Sequence, residues 1–258
     1  MAQQLYAQIY FPLGARYAGM ANSSVTLSDV WSVAHNQAGL AKLKDVSVAA
    51  CHENRYLIKE LGLSAASLAV PFKPGTIAVH YSYFGTSLYH ESKIGLAYAR
   101  TFGEKLSCGV QLNYFSKFIQ NEYGQGSALA VEGGIIYEPV ENVRIGFHLF
   151  NPNQTKIHEY SDERLPSIVR FGAGYRFAGN ILVTAETEKW IDYKPYYKAG
   201  MEYTPGKYFA FRAGVSTNPL NLYSFGMGLV LKTLHLDLSY SYHQLLGSSP
   251  NASILFAF

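Results

Sequence analysis

From residue 132 onward, charged residues recur on one face of short alternating runs, where they could form ion pairs, line a pore or relay protons. Counting alternate positions places five basic and five acidic side chains on this face. An ion-selective pore usually carries one sign of charge at its constriction, so the balanced signs favour ion pairs. The alternative is that these charges do not pair and are only hydrated in a water-filled interior of the protein. The predicted charge network comprises Glu132, Arg144, Arg170, Arg176, Glu186, Glu188, Lys198, Glu202, Lys232 and Asp237.

Motifs that signal an enzyme are missing from the sequence. It contains no Gly-x-Ser-x-Gly elbow, no His-Glu-x-x-His, no P-loop and no glycine series for a dinucleotide. His80 and Ser82 share a strand face, as the Ser/His pair of an outer-membrane lipase would, but such spacing is common by chance. Cys51 and Cys108 lack metal-ligand spacing and are interpreted as small apolar strand residues. We therefore expect a protein without catalytic activity, metal or cofactor.

Composition restricts the class of protein further. The 258 residues carry a net charge of +3, which is too weak a field to indicate nucleic acid as a partner. Only 15% of the residues are charged and another 15% are aromatic. Apolar runs stay short of the roughly 18–20 residues of a membrane-spanning helix. The first residues lack the basic start and apolar core of a signal peptide, so we expect an exported protein in its mature form.

The elements that must position these side chains are β-strands. In Leu234–Tyr242, apolar and polar residues alternate strictly, which is the period of a strand with one apolar face. Similar runs recur from about residue 45 to the end, separated by turn residues, and the even total suits a single-chain bacterial barrel. The fourteen predicted strands are near 46–57, 60–72, 75–84, 90–102, 105–118, 126–138, 142–150, 165–177, 180–190, 194–204, 207–216, 221–232, 233–245 and 250–258.

The two faces of these strands indicate which side meets lipid. Small residues such as Gly172 and Gly174 occupy the polar faces, while large aromatic residues such as Tyr175 and Phe177 end the apolar faces. Small residues inside and large apolar residues outside suit a barrel surrounded by lipid, with aromatic girdles at both interfaces. The final strand ends on Phe258, which resembles the C-terminal signal that outer-membrane barrels present to the barrel-assembly machinery.

The first 44 residues do not alternate and are typical of short helical turns between glycines, with Ser28 expected to cap one of them. They carry Gly14-x-Arg16, Gly19-Met20, Asp29 and Asn36-x-Ala38-Gly39-Leu40-Ala41. This spacing resembles the N-terminal motif of the PorV/PorQ-type branch of the FadL-like outer-membrane barrels, although Gln37 replaces the usual proline. The resemblance implies a fourteen-stranded transmembrane barrel over residues 45–258. It also implies that residues 1–44 form a plug inside the lumen, whose motif residues are Gly14, Arg16, Gly19, Asp29, Asn36 and Gly39.

Two functions remain open. The PorV/PorQ-type resemblance implies an accessory subunit of a protein export or assembly machine, as in type IX secretion of Bacteroidota. The wider FadL-like resemblance implies a passive transporter of small hydrophobic molecules. Short loops and a charge-paired lumen favour the first, whereas an apolar pocket and an opening in the wall would favour the second. In both cases we expect the outer membrane of a Gram-negative bacterium, with its lipids and, for the first function, a larger complex as partners.

Two contacts follow from these interpretations. Residues 10–41 are expected inside the barrel, with Arg16 or Asp29 contacting a charged lumen residue. On the outer wall, the region around Lys93, Arg100 and Lys117 is where a partner would dock. Arg100 shares its strand face with Ile94, Leu96 and Tyr98, which otherwise point to lipid. Its side chain either extends to the lipid headgroups or meets a partner protein.

Overall fold

The computed structural model describes residues 11–120, 125–157, 164–217 and 221–258. In these ranges fourteen antiparallel strands form a closed barrel, in which each strand pairs with its sequence neighbours and β1 closes against β14. The predicted all-β, fourteen-stranded barrel is therefore confirmed. The strands are β1 Ser47–Asn54, β2 Gly62–Pro71, β3 Thr76–Gly85, β4 Tyr89–Phe102, β5 Leu106–Ile119, β6 Gln125–Tyr137, β7 Val143–Phe150, β8 Ile168–Phe177, β9 Ile181–Trp190, β10 Tyr196–Tyr203, β11 Phe209–Ser216, β12 Leu222–Val230, β13 Leu234–His243 and β14 Gly247–Ala257.

Alternation along each strand sorts side chains between lumen and exterior. In β13, Leu236 and Leu238 point outward and are exposed, while Asp237 and Ser239 point inward and are buried. The same outward pattern recurs around the wall, where Leu96, Leu112 and Phe225 are more than half exposed. A soluble monomer rarely exposes more than a few hundred Å² of contiguous apolar surface. The wall is therefore built to face lipid.

The two ends of the barrel differ in their connections. At one end, here called the terminal end, the chain enters β1 and leaves β14, and every turn has three to five residues. At the other, the loop end, connections reach seven residues between β1 and β2 and seventeen between β7 and β8. In outer-membrane barrels the short turns face the periplasm and the longer loops face outward.

Residues 11–43, here called the plug, lie inside the lumen, mostly in its terminal half, while Phe11 reaches the loop end and packs on Phe84 with ring centroids 4.6 Å apart. They form one turn of α-helix, α1 (Ala15–Ala18), and two 3-10 helices, Val30–Ala34 and Gln37–Lys42. Asp29 caps the first 3-10 helix by accepting from the Trp31 amide at 2.8 Å, so the expectation that Ser28 is the cap was wrong. None of the helices in the described ranges is long and apolar enough to span a membrane.

Inward glycines let the plug approach the wall closely. A Cβ built on Gly134 would lie 2.0 Å from Asn36 Oδ1, and one built on Gly214 would lie 2.3 Å from the carbonyl carbon of Met20. Real Cβ atoms do not make such contacts, so a side chain at either position would displace the plug. The small inward residues that indicated a barrel in the sequence thus make room for residues 11–43.

Candidate functional site

The first contact between plug and wall is an ion-pair cluster near the terminal end. Arg16 binds Glu202 through two nitrogens, at 2.8 and 2.7 Å, and its third contact is Asp29 at 2.9 Å. Arg212 lies on the far side of Glu202 at 2.7 Å and also contacts Asp237 at 2.6 Å. A guanidinium with a two-nitrogen contact to a carboxylate is among the strongest charged hydrogen bonds in proteins. These residues, here called the terminal cluster, tie α1 to β10, β11 and β13.

A second cluster lies on β8, β9 and β10 and is almost completely buried. Arg170 contacts Glu186 at 2.6 Å and Glu188 at 3.5 Å, and Lys198 contacts Glu188 at 2.6 Å. Two positive and two negative charges balance in this Arg170 cluster. The second oxygen of Glu186 accepts from the backbone amides of Ser24 and Val25, at 2.7 and 2.8 Å.

Arg170 also binds the plug directly. Its guanidinium donates to the His35 carbonyl at 3.0 Å and to the Ser24 hydroxyl at 2.7 Å. The His35 ring bonds the same hydroxyl at 2.9 Å and the backbone of Leu13. Burial, followed by the positive charge of Arg170, holds the pKa of His35 well below its usual value. His35 is therefore neutral at physiological pH, and its two ring nitrogens connect three parts of the plug.

The third cluster is centred on Glu132 of β6, which is 1% exposed. Lys93, Gln111 and Asn113 all donate to one oxygen of this carboxylate, at 2.8, 2.9 and 2.8 Å. His148 bonds the other oxygen at 3.0 Å. A buried charge is tolerated only when it is paired and fully hydrogen-bonded, which this arrangement achieves. The Glu132 cluster lies next to the second 3-10 helix, toward the loop end, on the β3–β7 side of the lumen.

A smaller group closes the rim at the terminal end. Glu138, in the turn between β6 and β7, pairs with Lys42 of the plug and with Arg144 at 2.9 Å. Arg144 in turn donates to the Ser28 hydroxyl at 3.2 Å. These contacts hold the end of the second 3-10 helix where the plug leaves the lumen.

The opposite side of the plug contacts the wall through apolar side chains. Within the described ranges, no hydrogen bond or ion pair joins the plug to β2 or β3. The contact there consists of packing between plug residues such as Val33 and Leu40 and small inward residues of the wall. Separating the plug from this side would break no ion pair, whereas the β8–β13 side is held by two clusters. The inward alanines are Ala49, Ala65, Ala69, Ala78, Ala97 and Ala99.

An apolar layer lies in the lumen toward the loop end, above the Glu132 cluster. Phe115 and Phe150 meet edge to face with ring centroids 5.9 Å apart, and the Lys93 ammonium lies 5.5 Å from each centroid. Trp190 packs against this layer. Ile157 and Leu165, from the described parts of the connection between β7 and β8, contribute to it. The buried members of the layer are Phe115, Ala128, Ala130, Phe150, Ile157, Leu165 and Ile168.

The wall beside this layer is incompletely paired. β6 pairs with β5 along its whole length, from Phe118–Gln125 to Leu106–Tyr137. Its other edge pairs with β7 only from Glu132 to Tyr137, because β7 ends at Phe150. Among the described residues, no strand pairs with that edge of β6 over 125–130.

Most residues of the predicted charge network lie in the lumen, but two do not belong to its clusters. Arg176 points inward at the terminal end, is half-buried, and donates to the Gly179 carbonyl of its own turn at 3.4 Å. Lys232 is exposed in the turn between β12 and β13, because β12 ends at Val230, so its placement in the lumen was wrong. Arg212 was missed, although alternation with Phe209 and Phe211 points it inward.

Of the three cations assigned to the outer wall, one lies there. Lys93 and Lys117 point into the lumen and are buried, so this part of the prediction was wrong. Arg100 is exposed on the outer face near the terminal end, with its guanidinium carbon 5.4 Å from the centre of the Phe102 ring. Phe258 follows the last strand and is exposed, and its amide donates to the Val46 carbonyl at 2.9 Å.

The remaining candidates do not assemble a catalytic or metal site. His80 and Ser82 are both buried on the lumen side of β3, and neither has a hydrogen bond to the other. Cys51 and Cys108 are both free thiols. In the part of the chain that the structure describes, no three His, Cys, Asp or Glu side chains are placed to hold a metal ion.

Among the hollows of the described structure, one lies on the outer wall and one at the terminal end. A groove of about 560 Å³ lies on the lipid-facing wall among Leu96, Val110 and Leu112, where acyl chains of the membrane fit. A cavity of about 280 Å³ opens at the terminal end between the plug and the wall, beside Arg16, Asp29 and His235. This cavity exposes the outer edge of the terminal cluster and ends at the plug.

Comparison with solved structures assigns the fold. The chain matches the monoaromatic hydrocarbon channel CymD with a TM-score of 0.70 and 14% identity, covering 98% of this chain and 99% of that one. The Pseudomonas putida toluene transporter TodX gives 0.72 and 11%, covering 96% and 98%. This chain has the fold of the FadL-like channels. The Ralstonia pickettii toluene transporter TbuX gives 0.71 and 10% over 96% and 98% of the two chains.

The remaining comparisons add no closer assignment. No protein-family model matches the chain, and no curated protein matches it. The fold agrees with the fold that the resemblance in the N-terminal motif implies. The PorV/PorQ-type branch remains a hypothesis based on that motif alone.

Proposed function

We propose that this protein is a non-enzymatic outer-membrane channel for small hydrophobic molecules, with a lumen closed by the plug. The observation that carries the proposal is the apolar layer around Phe115 and Phe150, which lies in the lumen on the loop-end side of the Glu132 cluster. A layer of this kind offers an uncharged solute a favourable environment on the loop-end side of the plug.

The solved channels with the same fold support this proposal. Those compared above are described as a monoaromatic hydrocarbon channel and as toluene transporters. Among the two functions left open by the sequence, the transporter thus gains support that the export subunit lacks. The substrate class we propose is a small, uncharged, mainly apolar molecule of the size of one aromatic ring.

The polar clusters restrict the route of such a solute. On the β4–β10 side of the lumen, a direct path to the terminal end would cross the Glu132 and Arg170 clusters, where an apolar solute finds no favourable contacts. The edge of β6 over 125–130, which no described strand pairs, lies beside the apolar layer. We propose that the solute leaves the layer along this edge and enters the membrane.

Toluene uptake tests this proposal. Gram-negative host cells that assemble the barrel, verified by its heat-modifiable mobility on a gel, should take up labelled toluene several-fold faster than cells without it. Uptake of a small sugar should be unchanged, because the plug fills the terminal half of the lumen. Equal toluene uptake with and without the assembled barrel would contradict the proposed function.

The second candidate is an accessory subunit that docks on a larger outer-membrane complex, and Arg100 is the observation that favours it. Among the described residues, no acidic side chain pairs with this outward cation. Without a partner, the Arg100 side chain would extend to the lipid headgroups, since a cation near the interface costs only ~0–1 kcal/mol. If a partner binds there, Arg100→Leu should leave barrel assembly intact and remove that partner from a mild-detergent pull-down. Unchanged co-purification would leave only the headgroup contact.

A further inference from the structure

Several buried polar atoms near the Glu132 cluster have no hydrogen-bond partner within the described structure. Both ring nitrogens of His80 are unpartnered, as are Gln111 Oε1, His148 Nδ1 and Gln37 Oε1 of the plug. His80 is 1% exposed and Gln111 is 2% exposed, so solvent does not reach them. An unpaired buried polar group costs about 1–3 kcal/mol, and each one in a native structure calls for an explanation.

Two of these side chains, His80 and Gln111, meet at one position in the lumen. A Cβ built on Gly95 would lie 2.6 Å from Gln111 Nε2, 2.7 Å from His80 Cδ2 and 2.8 Å from Asn113 Oδ1. Three side chains from β3 and β5 therefore meet over a glycine of β4, and a larger residue there would push them apart. His148 reaches the same cluster through Glu132.

Aromatic rings lie immediately above this position. Along the inward face of β5, Gln111 and Asn113 are followed by Phe115, which meets Phe150 edge to face. The unpartnered atoms thus adjoin the apolar layer proposed above to receive the solute. The lumen here combines an aromatic surface with hydrogen-bonding groups that lack partners.

Resting on the proposed function, we propose that this region is a subsite for a small aromatic molecule that carries one hydroxyl group, of the phenol class. The ring lies against Phe115 and Phe150, and the hydroxyl accepts from a His80 N–H while it donates to Gln111 Oε1. One hydroxyl pairs with one ring nitrogen of His80 and with the Gln111 oxygen, because it is donor and acceptor at once. A methyl group of the same size satisfies neither, so the subsite discriminates phenol from toluene.

Calorimetric titration of the detergent-solubilised barrel with phenol and with toluene tests the subsite, with protein-free micelles as the blank. The wild-type chain should bind phenol about tenfold more tightly than toluene, since each tenfold corresponds to about 1.4 kcal/mol. His80→Leu removes a group that makes no hydrogen bond in the structure, and it should reduce phenol binding to that of toluene. His80→Gln, which keeps a donor there, should retain part of the preference.

His52→Leu is the matched control, because His52 is exposed on the outer face of β1 and bonds Ser64 at 2.9 Å. It should leave both affinities unchanged. Equal binding of phenol and toluene by the wild-type chain would mean that the unpartnered atoms hold water only, and would overturn the subsite while the proposed channel stands. A preference that survives His80→Leu would also overturn it. Failure to bind either compound would count against the proposed function itself.

Discussion

Replacing Arg170 by leucine is expected to lower the free energy of unfolding of the barrel by about 3–5 kcal/mol, the usual cost of removing one partner of a buried ion pair. Glu186 and Glu188 would retain only Lys198 as a positively charged partner, at 3.7 and 2.6 Å. The hydrogen bonds that Arg170 donates to the His35 carbonyl and the Ser24 hydroxyl of the plug would be lost at the same time. Urea titration in lipid, followed by gel mobility, measures the stability. Loosening of the plug is measured as solute leakage through reconstituted barrels, and this leakage should increase.

Arg176→Leu is the matched control for this change. Arg176 lies on the same strand and face as Arg170, but it is half-buried and bonds only a carbonyl of its own turn in the described structure. Its replacement should change the stability by no more than about 0.5 kcal/mol, as at an ordinary surface position, and should not alter leakage. Similar effects of the two replacements would show that the Arg170 cluster does not anchor the plug.

The barrel could be predicted from the sequence because its strands are amphipathic over their whole length. Alternation between lipid and lumen gave fourteen strands, and most predicted bounds differ from the observed ones by one to three residues. Two of the three largest differences are at strand ends next to longer connections, after β1 and before β8, which was predicted from 165 and begins at Ile168. There the polarity pattern continues into the loop while the sheet pairing has already stopped.

The contacts inside the lumen were only partly predictable, because alternation along a strand gives the face on which a side chain lies but not the residue that it contacts. Arg16 was expected to meet a charged lumen residue, and the structure places it against Glu202. Arg212 completes the terminal cluster and could have been found by counting alternate positions in β11. Lys93 and Lys117 were assigned to the wrong face, although alternation with Ile94 points Lys93 inward.

Other features lie beyond what one sequence shows. The Glu132 cluster joins β4, β5, β6 and β7, and its side chains meet only once the register of these strands is known. The apolar layer also depends on Ile157 and Leu165, which belong to a connection without alternation and gave no signal of burial. The contrast between the charged and the apolar side of the plug likewise follows from its path through the lumen, which no local pattern specifies.

Uptake of toluene by a barrel whose apolar layer has been filled tests the central claim most directly. Ala128 points into the layer opposite Phe115, while its neighbour Leu129 is 58% exposed on the lipid face. Ala128→Phe should reduce the initial rate of toluene uptake several-fold, because the added ring occupies the solute's path. Overpacking costs about 1–3 kcal/mol, so assembly of the variant is verified by gel mobility.

Leu129→Phe adds an aromatic ring one residue away on the same strand, but on the outer face. We predict that cells carrying this variant take up toluene at the wild-type rate, while cells carrying Ala128→Phe fall toward the rate of cells without the barrel. Equal rates for the two assembled variants would contradict the account, because the solute would then not pass through the apolar layer.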